Sequence, residues 1–271
     1  MKQRVLTALV LAPLAIMAVL YMPTGVFMAL ISILLLAGIW EWGLLAGLRK
    51  TLHRALVVAI NAVLLAALAW ADWNDLARQL IVVGLIWWIL AALWLTKPEI
   101  GKARNRGNAL IKLTIGTVLI VPAWSGAALL HAEQPNGPGW LLYAVMLVWA
   151  ADTFAYFVGS RVGGRKLAPS ISPGKTWAGF FGGLAGVMLV ASAAMPLLGV
   201  GWHQWLPMAA LALLTGLVSV LGDLFESLMK RQAGAKDSGD LLPGHGGALD
   251  RLDSLIAALP VFALGKLWLG L

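Results

Sequence analysis

The sequence predicts an all-α, polytopic integral membrane protein of about nine transmembrane helices. Three observations carry that prediction. Hydrophobic residues make up 61% of the 271 and charged residues only 12%, with a mean hydropathy of +0.86, outside the range of soluble globular domains. Apolar runs long enough to cross a hydrocarbon core of about 30 Å recur along the whole chain. Basic residues gather in alternate connections between those runs, the signature of an oriented membrane protein.

The runs fall at 5–21, 26–45, 55–71, 80–95, 109–130, 140–159, 177–200, 206–225 and 252–271. They are unbroken, without the alternation over about ten residues that marks a transmembrane barrel strand, so each reads as a helix. The first follows Lys2 and Arg4 and reads as an uncleaved signal anchor, because eight further spans come after it. The second carries Glu41 near its end, and Arg49, Lys50 and Arg54 separate it from the third. A polar connection at 96–108 lies between the fourth and fifth, and the turn-rich segment HAEQPNGPG at 131–139 between the fifth and sixth. The sixth contains Asp152; the seventh holds Gly182, Gly183 and Gly186, which permit close helix packing. Asp223 and Glu226 close the eighth run, and Asp250 and Asp253 precede or open the ninth. Most of the 14 Trp read as interfacial anchors. With no internal repeat or low-complexity linker, the chain reads as a single membrane domain over 1–271. Within it, 1–130 supplies N-terminal hydrophobic helices and 140–271 the catalytic helices and loops. Cysteine is absent, which excludes disulfides and thiolate chemistry.

A net charge of +8 raises the question of nucleic acid, and its distribution answers it. Of the 20 Lys and Arg, 18 fall on one side of an alternating topology and only Arg78 and Lys266 on the other. The rule that basic loops stay inside then gives a cytoplasmic N-terminus, and it places the connections at 160–176 and 230–247 in the cytosol. The basic residues orient the chain and attract anionic headgroups. No other feature supports nucleic-acid binding.

Polar chemistry is concentrated in SLMKRQAGAKDSGDLLPGHGGALDRLD, residues 227–253, with 4 Asp, 4 Lys or Arg, one His and 5 Gly. Acids within a span are costly by about 2.5–3.5 kcal/mol and ask for a partner or a purpose. Glu41, Asp152, Asp223 and Glu226 are such acids. Asp223 and Glu226 stand three apart on one helix face, and Lys230 follows Glu226 by four, the spacing of a helical ion pair. Asp250 and Asp253 repeat the spacing at the start of the ninth helix, where acids also suit the helix N-terminus. Each acid alone is explained equally well by capping or pairing. Two facing pairs would repel one another, and a divalent cation relieves that repulsion; oxygen-only ligands favour a hard ion such as Mg²⁺. Gly244, Gly246 and Gly247 let backbone amides approach an anion. Lys230, Arg231, Lys236 and Arg251 can neutralise phosphate oxygens. His245 alone is more often a structural hydrogen-bonder than a catalytic group. Metal, cations and open amides together describe phosphoryl or nucleotidyl transfer.

A second loop, ADTFAYFVGSRVGGRKLAPSISPGKTWAG at 151–179, has related character. Ser172, Lys175 and Thr176 stand at a helix N-terminus that can hold phosphate, though plain capping serves Ser172 or Thr176 as well. The segment lacks the spaced glycines and preceding strand of a P-loop.

The pattern S-x-x-K-R-x4-K-D-x-G-x2-L-P-x-H-G-G-x2-D-R-x-D at 227–253 resembles the signature of phosphatidate cytidylyltransferases, also called CDP-diglyceride synthases. GDLFESLMKR, DTFAYFVG and ISPGKTW look like companion motifs, so the resemblance covers the chain from about Trp149. It departs at Ala248, where a larger apolar residue is expected, and at Gly174 and Ala178, where Lys and Glu are frequent. The resemblance implies the reaction of CTP with phosphatidate to CDP-diacylglycerol and pyrophosphate, at the cytoplasmic face of a bacterial inner membrane, by homodimeric enzymes. It implies Asp223 and Asp250 as principal Mg²⁺ ligands, with Asp253 and Glu226 beside them, and Lys230 and Arg251 with the acids in catalysis. Arg231, Lys236, Asp237, His245, Gly246, Gly247, Ser172, Lys175 and Thr176 would then bind substrate, with Asp152 second to these. A proton-coupled carrier would place its acids at the midplane and show an inverted repeat, neither of which is present. A CDP-alcohol phosphotransferase would show D-G-x2-A-R with two further spaced Asp, also missing. A kinase acting on a lipid alcohol is the nearer competitor.

Overall fold

In a chain this apolar, hydrophobicity identifies spans without saying which helices face protein and which face lipid. The structure, a computed structural model, resolves that for residues 2–70, 74–239 and 246–271. Gly244 and His245 lie outside the described residues. The elements run α1 Lys2–Tyr21, α2 Thr24–Leu45, α3 Thr51–Trp70, α4 Asn74–Leu95, α5 Arg106–Ala132, α6 Gly137–Val162, β1 Lys166–Ala168, β2 Ser172–Thr176, α7 Trp177–Ala194, α8 Trp205–Ala233 and α9 Leu249–Leu269. Each predicted run coincides with one of these helices over most of its length, the seventh and ninth extending past the ends of α7 and α9. Eight of them are long and apolar enough to cross a membrane, and α1 offers a shorter apolar stretch, Val10–Tyr21, among the described residues.

Burial separates a central set from a peripheral one. Helices α5 and α9 are mostly buried, whereas α3 and α4 present Ile60, Val63, Ile89 and Leu93 outward, as lipid-facing helices do. Helix α5 packs against α9, α4, α2 and α6, and α9 packs in turn against α8. The α5–α9 crossing is close because Gly126 has no side chain: an added Cβ would stand 3.0 Å from the Leu259 carbonyl. The glycines of α7 do the same against α6. A Cβ at Gly183 would lie 2.7 Å from the Ala151 carbonyl, while Gly182 and Gly186 receive the side chains of Val158 and Phe154.

Two features add to the sequence reading. Some tryptophans pack inside the bundle: Trp42, Trp88, Trp124 and Trp140 are buried, and Trp42, Trp87, Trp88 and Trp94 all contact the ring of Phe225 on α8. Large rings fill space between helices as well as they anchor at a headgroup layer, and hydropathy does not distinguish the two uses. The described residues also contain a two-stranded antiparallel hairpin, with Lys166 opposite Thr176 and Ala168 opposite Ser172. Strands of three and five residues carry too few positions to display a period of two.

Helix α8 runs past the apolar stretch that predicted it. Its last turn is held by the connection before α5, where Gln232 Nε2 donates to the carbonyls of Pro98 and Ile100 at 2.8 Å each and Arg104 donates to the Ala233 carbonyl at 3.1 Å. Gly234, in the left-handed conformation, then ends it.

Candidate active site

Helices α8 and α9 meet where one ends and the other begins, and Gly222 allows the meeting: an added Cβ would collide with the Asp253 carbonyl and the Ala257 side chain. That approach stacks the two acid pairs. Lys230 Nζ lies 2.8 Å from Glu226 Oε2, the helical pair predicted by their spacing, and 2.5 Å from Asp250 Oδ1 across the helix boundary. Asp253 lies within electrostatic reach of Asp223, Glu226 and Asp152, and Asp152 within reach of Asp223 and Lys175. Four carboxylates from α6, α8 and α9 therefore share one neighbourhood.

Asp250 is heavily engaged. Its Oδ2 accepts from the Ser238 backbone N–H at 3.0 Å, the Ser238 hydroxyl at 2.9 Å and the Gly247 N–H at 2.8 Å. The bonds run to both ends of the connection between α8 and α9, so the acid organises that connection as well as facing Lys230. Gly246 takes φ +80°, a conformation that only glycine adopts without strain.

The hairpin brings the second loop to the same place. Lys175 Nζ sits 2.6 Å from Asp223 Oδ2, and Arg231 Nε donates to the Ile171 carbonyl at 3.2 Å. Thr176 uses its hydroxyl oxygen to accept from the Gly179 N–H at 3.1 Å, capping α7. Ser172 is half-buried in β2, Gly174 faces open space, and Lys236, Asp237 and Arg251 are exposed around the rim. The two loops singled out in the sequence are thus joined by an ion pair and a backbone contact.

Glu41 is the residue whose place in this site was not anticipated. It was marked only as an acid inside a span in want of a partner. The partners are Ser238, Ala248 and Leu249, at the far end of the sequence.

The donor chemistry fits a hard divalent cation. Each principal acid already holds a cationic stand-in, Lys175 on Asp223 and Lys230 on Asp250, and Oε1 of buried Glu226 has no hydrogen-bond partner among the described residues. As the side chains stand, no three acids or histidines among the described residues form one ligand group. Exposed cations at the rim, a glycine turn without side chains and clustered carboxylates suit a substrate with several phosphates.

Comparison with known proteins agrees with that chemistry. A model of the "Cytidylyltransferase family" matches residues 2–267, well beyond the C-terminal portion from about Trp149 in which the motifs lie. The phosphatidate cytidylyltransferase of Pseudomonas aeruginosa is 43% identical, covering 99% of this chain and 97% of its own. That of Haemophilus influenzae is 38% identical over 97% of each. The Mycobacterium bovis protein of the same name is 40% identical over 65% of this chain and 58% of its own.

Proposed function

Because the chain belongs to the cytidylyltransferase family, we propose that it is a phosphatidate cytidylyltransferase, forming CDP-diacylglycerol and pyrophosphate from CTP and phosphatidate. The observation that carries the reading is the joining of α8, α9 and the hairpin through Lys230 and Lys175, each set on acids from the signature motifs.

In the reaction, a phosphate oxygen of phosphatidate bonds to the α-phosphorus of CTP as the bond from that phosphorus to the bridging oxygen of the β-phosphate breaks. Both partners are anions, so charge neutralisation matters more than a strong base. Asp223 and Asp250 would hold Mg²⁺, with Asp253 and Glu226 beside them. When bound, the ion would offset charge on the phosphates. Lys175 and Lys230, set on carboxylates in the structure, would trade those contacts for contacts to substrate phosphates. Arg231, Lys236 and Arg251 hold phosphates from the rim, and the Gly246–Gly247 turn, without side chains, lets the triphosphate come close to the main chain, with Asp237, Ser172 and Thr176 lining the approach. Asp250 also fixes the connection between the helices through Ser238 and Gly247.

The charge distribution supports a cytoplasmic N-terminus and a cytoplasmic active site in the inner membrane. The chain has no native cysteine, so Asp237→Cys gives a single labelling position. An impermeant maleimide should label it in inverted vesicles and spare it in intact cells; the reverse pattern overturns the orientation. Homodimeric assembly belongs to the same reading, and a monomer mass with full activity would remove it.

The activity is tested with membranes given phosphatidate and CTP labelled either in the cytidine or in the γ-phosphate. Cytidine label in a phosphatidate-derived lipid is the expected result. Lipid labelled from the γ-phosphate would instead make the protein a kinase. Chelation of divalent cations should abolish transfer and added Mg²⁺ restore it; undiminished transfer after chelation removes the metal.

A further inference from the structure

We infer that Glu41, on α2, is a positioning residue for cytidylyl transfer, holding both ends of the connection between α8 and α9 and thereby the Gly246–Gly247 turn and Asp250. The inference rests on the reading of the reaction given above. It starts from a helix that lacks a cap of its own. Helix α9 is preceded by Ala248 in right-handed helical conformation, with no side-chain cap from its own segment, so its first N–H groups need acceptors from elsewhere. Glu41 supplies them: Oε1 accepts from Ala248 N–H and Oε2 from Leu249 N–H, each at 2.9 Å.

The same carboxylate reaches the other end of the connection. Oε2 accepts from the Ser238 hydroxyl at 2.9 Å, and that hydroxyl lies equally close to Asp250 Oδ2. One hydroxyl proton stands between two carboxylates, so Ser238 donates to one at a time and couples their positions. Gly247 has to be glycine for this contact to form, since an added Cβ would run into both Glu41 and Ser238. Glu41 itself is 3% exposed, so these bonds are shielded from bulk solvent. A carboxylate within a membrane helix thus holds in place the segment that carries Asp250 and the Gly246–Gly247 turn, without touching substrate.

Glutamine removes this function while keeping the shape. Its amide nitrogen is a donor facing two backbone donors and a hydroxyl, so at least one contact becomes repulsive.

The test uses the full-length protein in lipid nanodiscs, with Glu41→Gln, Glu41→Asp, Ser238→Ala and, as a control on the same helix, Ser32→Ala. CTP and phosphatidate are varied separately, and deuterium exchange is followed at amides 248 and 249. Glu41→Gln should raise KM for CTP by about tenfold or more, the size expected when charge-assisted hydrogen bonds are lost, leave KM for phosphatidate unchanged, and expose both amides to exchange. Glu41→Asp should fall between, and Ser238→Ala should change KM for CTP in the same direction and less. Ser32→Ala should leave both KM values unaltered. Wild-type CTP saturation in Glu41→Gln, or a loss of total activity with both KM values intact, overturns the inference. Should Glu41→Gln not fold, the same criteria apply to Glu41→Asp. If even the wild type makes no CDP-lipid, the reading of the reaction has failed; amide exchange then decides alone, with unchanged protection in the variant overturning the positioning role.

Discussion

Two lysines at opposite ends of the bundle, Lys266 buried and Lys230 half-buried, illustrate how similar contacts serve different ends. Lys266, on α9, is 1% exposed and meets both carboxylate oxygens of Glu133 at 2.6 and 2.7 Å. It also donates to the Leu271 carbonyl and lies 4.6 Å from the centre of the Trp140 ring. One cation and one anion are matched there. Lys230 has Glu226 and Asp250 for itself, with Asp253, Asp223 and Asp152 close by and Lys175 set on Asp223. A matched pair is complete without a ligand, whereas a cluster of neighbouring carboxylates is a standing demand for positive charge. The first is architecture, and the second is a site.

That contrast is broken most severely by Lys230→Met. Removing the cation leaves Glu226 and Asp250 unbalanced, a loss on the order of 3–5 kcal/mol for a buried pair, and cytidylyl transfer should vanish along with much of the thermal stability. Retention of both would make Lys230 no more than a surface ion pair. Next in size is Asp223→Asn, which should reduce kcat/KM by about a hundredfold or more at little change in melting temperature. Wild-type Mg²⁺-dependent turnover there would end its assignment as a ligand. Lys266→Met should do the opposite: stability falls toward the lower end of about 3–5 kcal/mol, because Glu133 keeps some access to water, and kcat per folded molecule holds. A selective loss of kcat would show that the two ends are coupled. The smallest effect should come from Thr176→Ala, about 1 kcal/mol for a lost helix cap, read as a lower melting temperature with Mg²⁺-dependent transfer retained. A loss of CTP binding larger than the loss of stability would assign the hydroxyl to substrate.

Legibility in the sequence followed the range of each interaction. Helices are readable because hydropathy over twenty residues is a local sum, and each of the nine runs overlaps a helix among the described residues. The Glu226–Lys230 pair was readable because four residues is one helical turn. The placement of Lys175 on Asp223 was not, since it depends on a hairpin too short to leave a pattern and on the way α6, α7 and α8 pack. The bonds from Glu41 to Ala248 and Leu249 cross more than 200 residues, and no spacing rule reaches that far. An intramembrane acid did signal that something must answer it, and α9 does. The Trp42, Trp87, Trp88 and Trp94 cluster around Phe225 was missed for a different reason: a ring is equally suited to an interface and to a core.

The length of α8 has a consequence for how the substrates meet. Its 29 residues extend about 43 Å at 1.5 Å per residue, well beyond a hydrocarbon core of about 30 Å. With exposed Trp202 and neighbouring Trp205 marking one boundary, Asp223 lies about 27 Å further along and Lys230 about 38 Å. On the proposed reading the acids then stand near the far edge of the core, close to the depth at which a phospholipid carries its phosphate. A lipid can arrive by lateral diffusion with its acyl chains still immersed, and the nucleotide comes from the water. The encounter is between a two-dimensional reservoir and a three-dimensional one, and the product never has to leave the sheet in which it will be used.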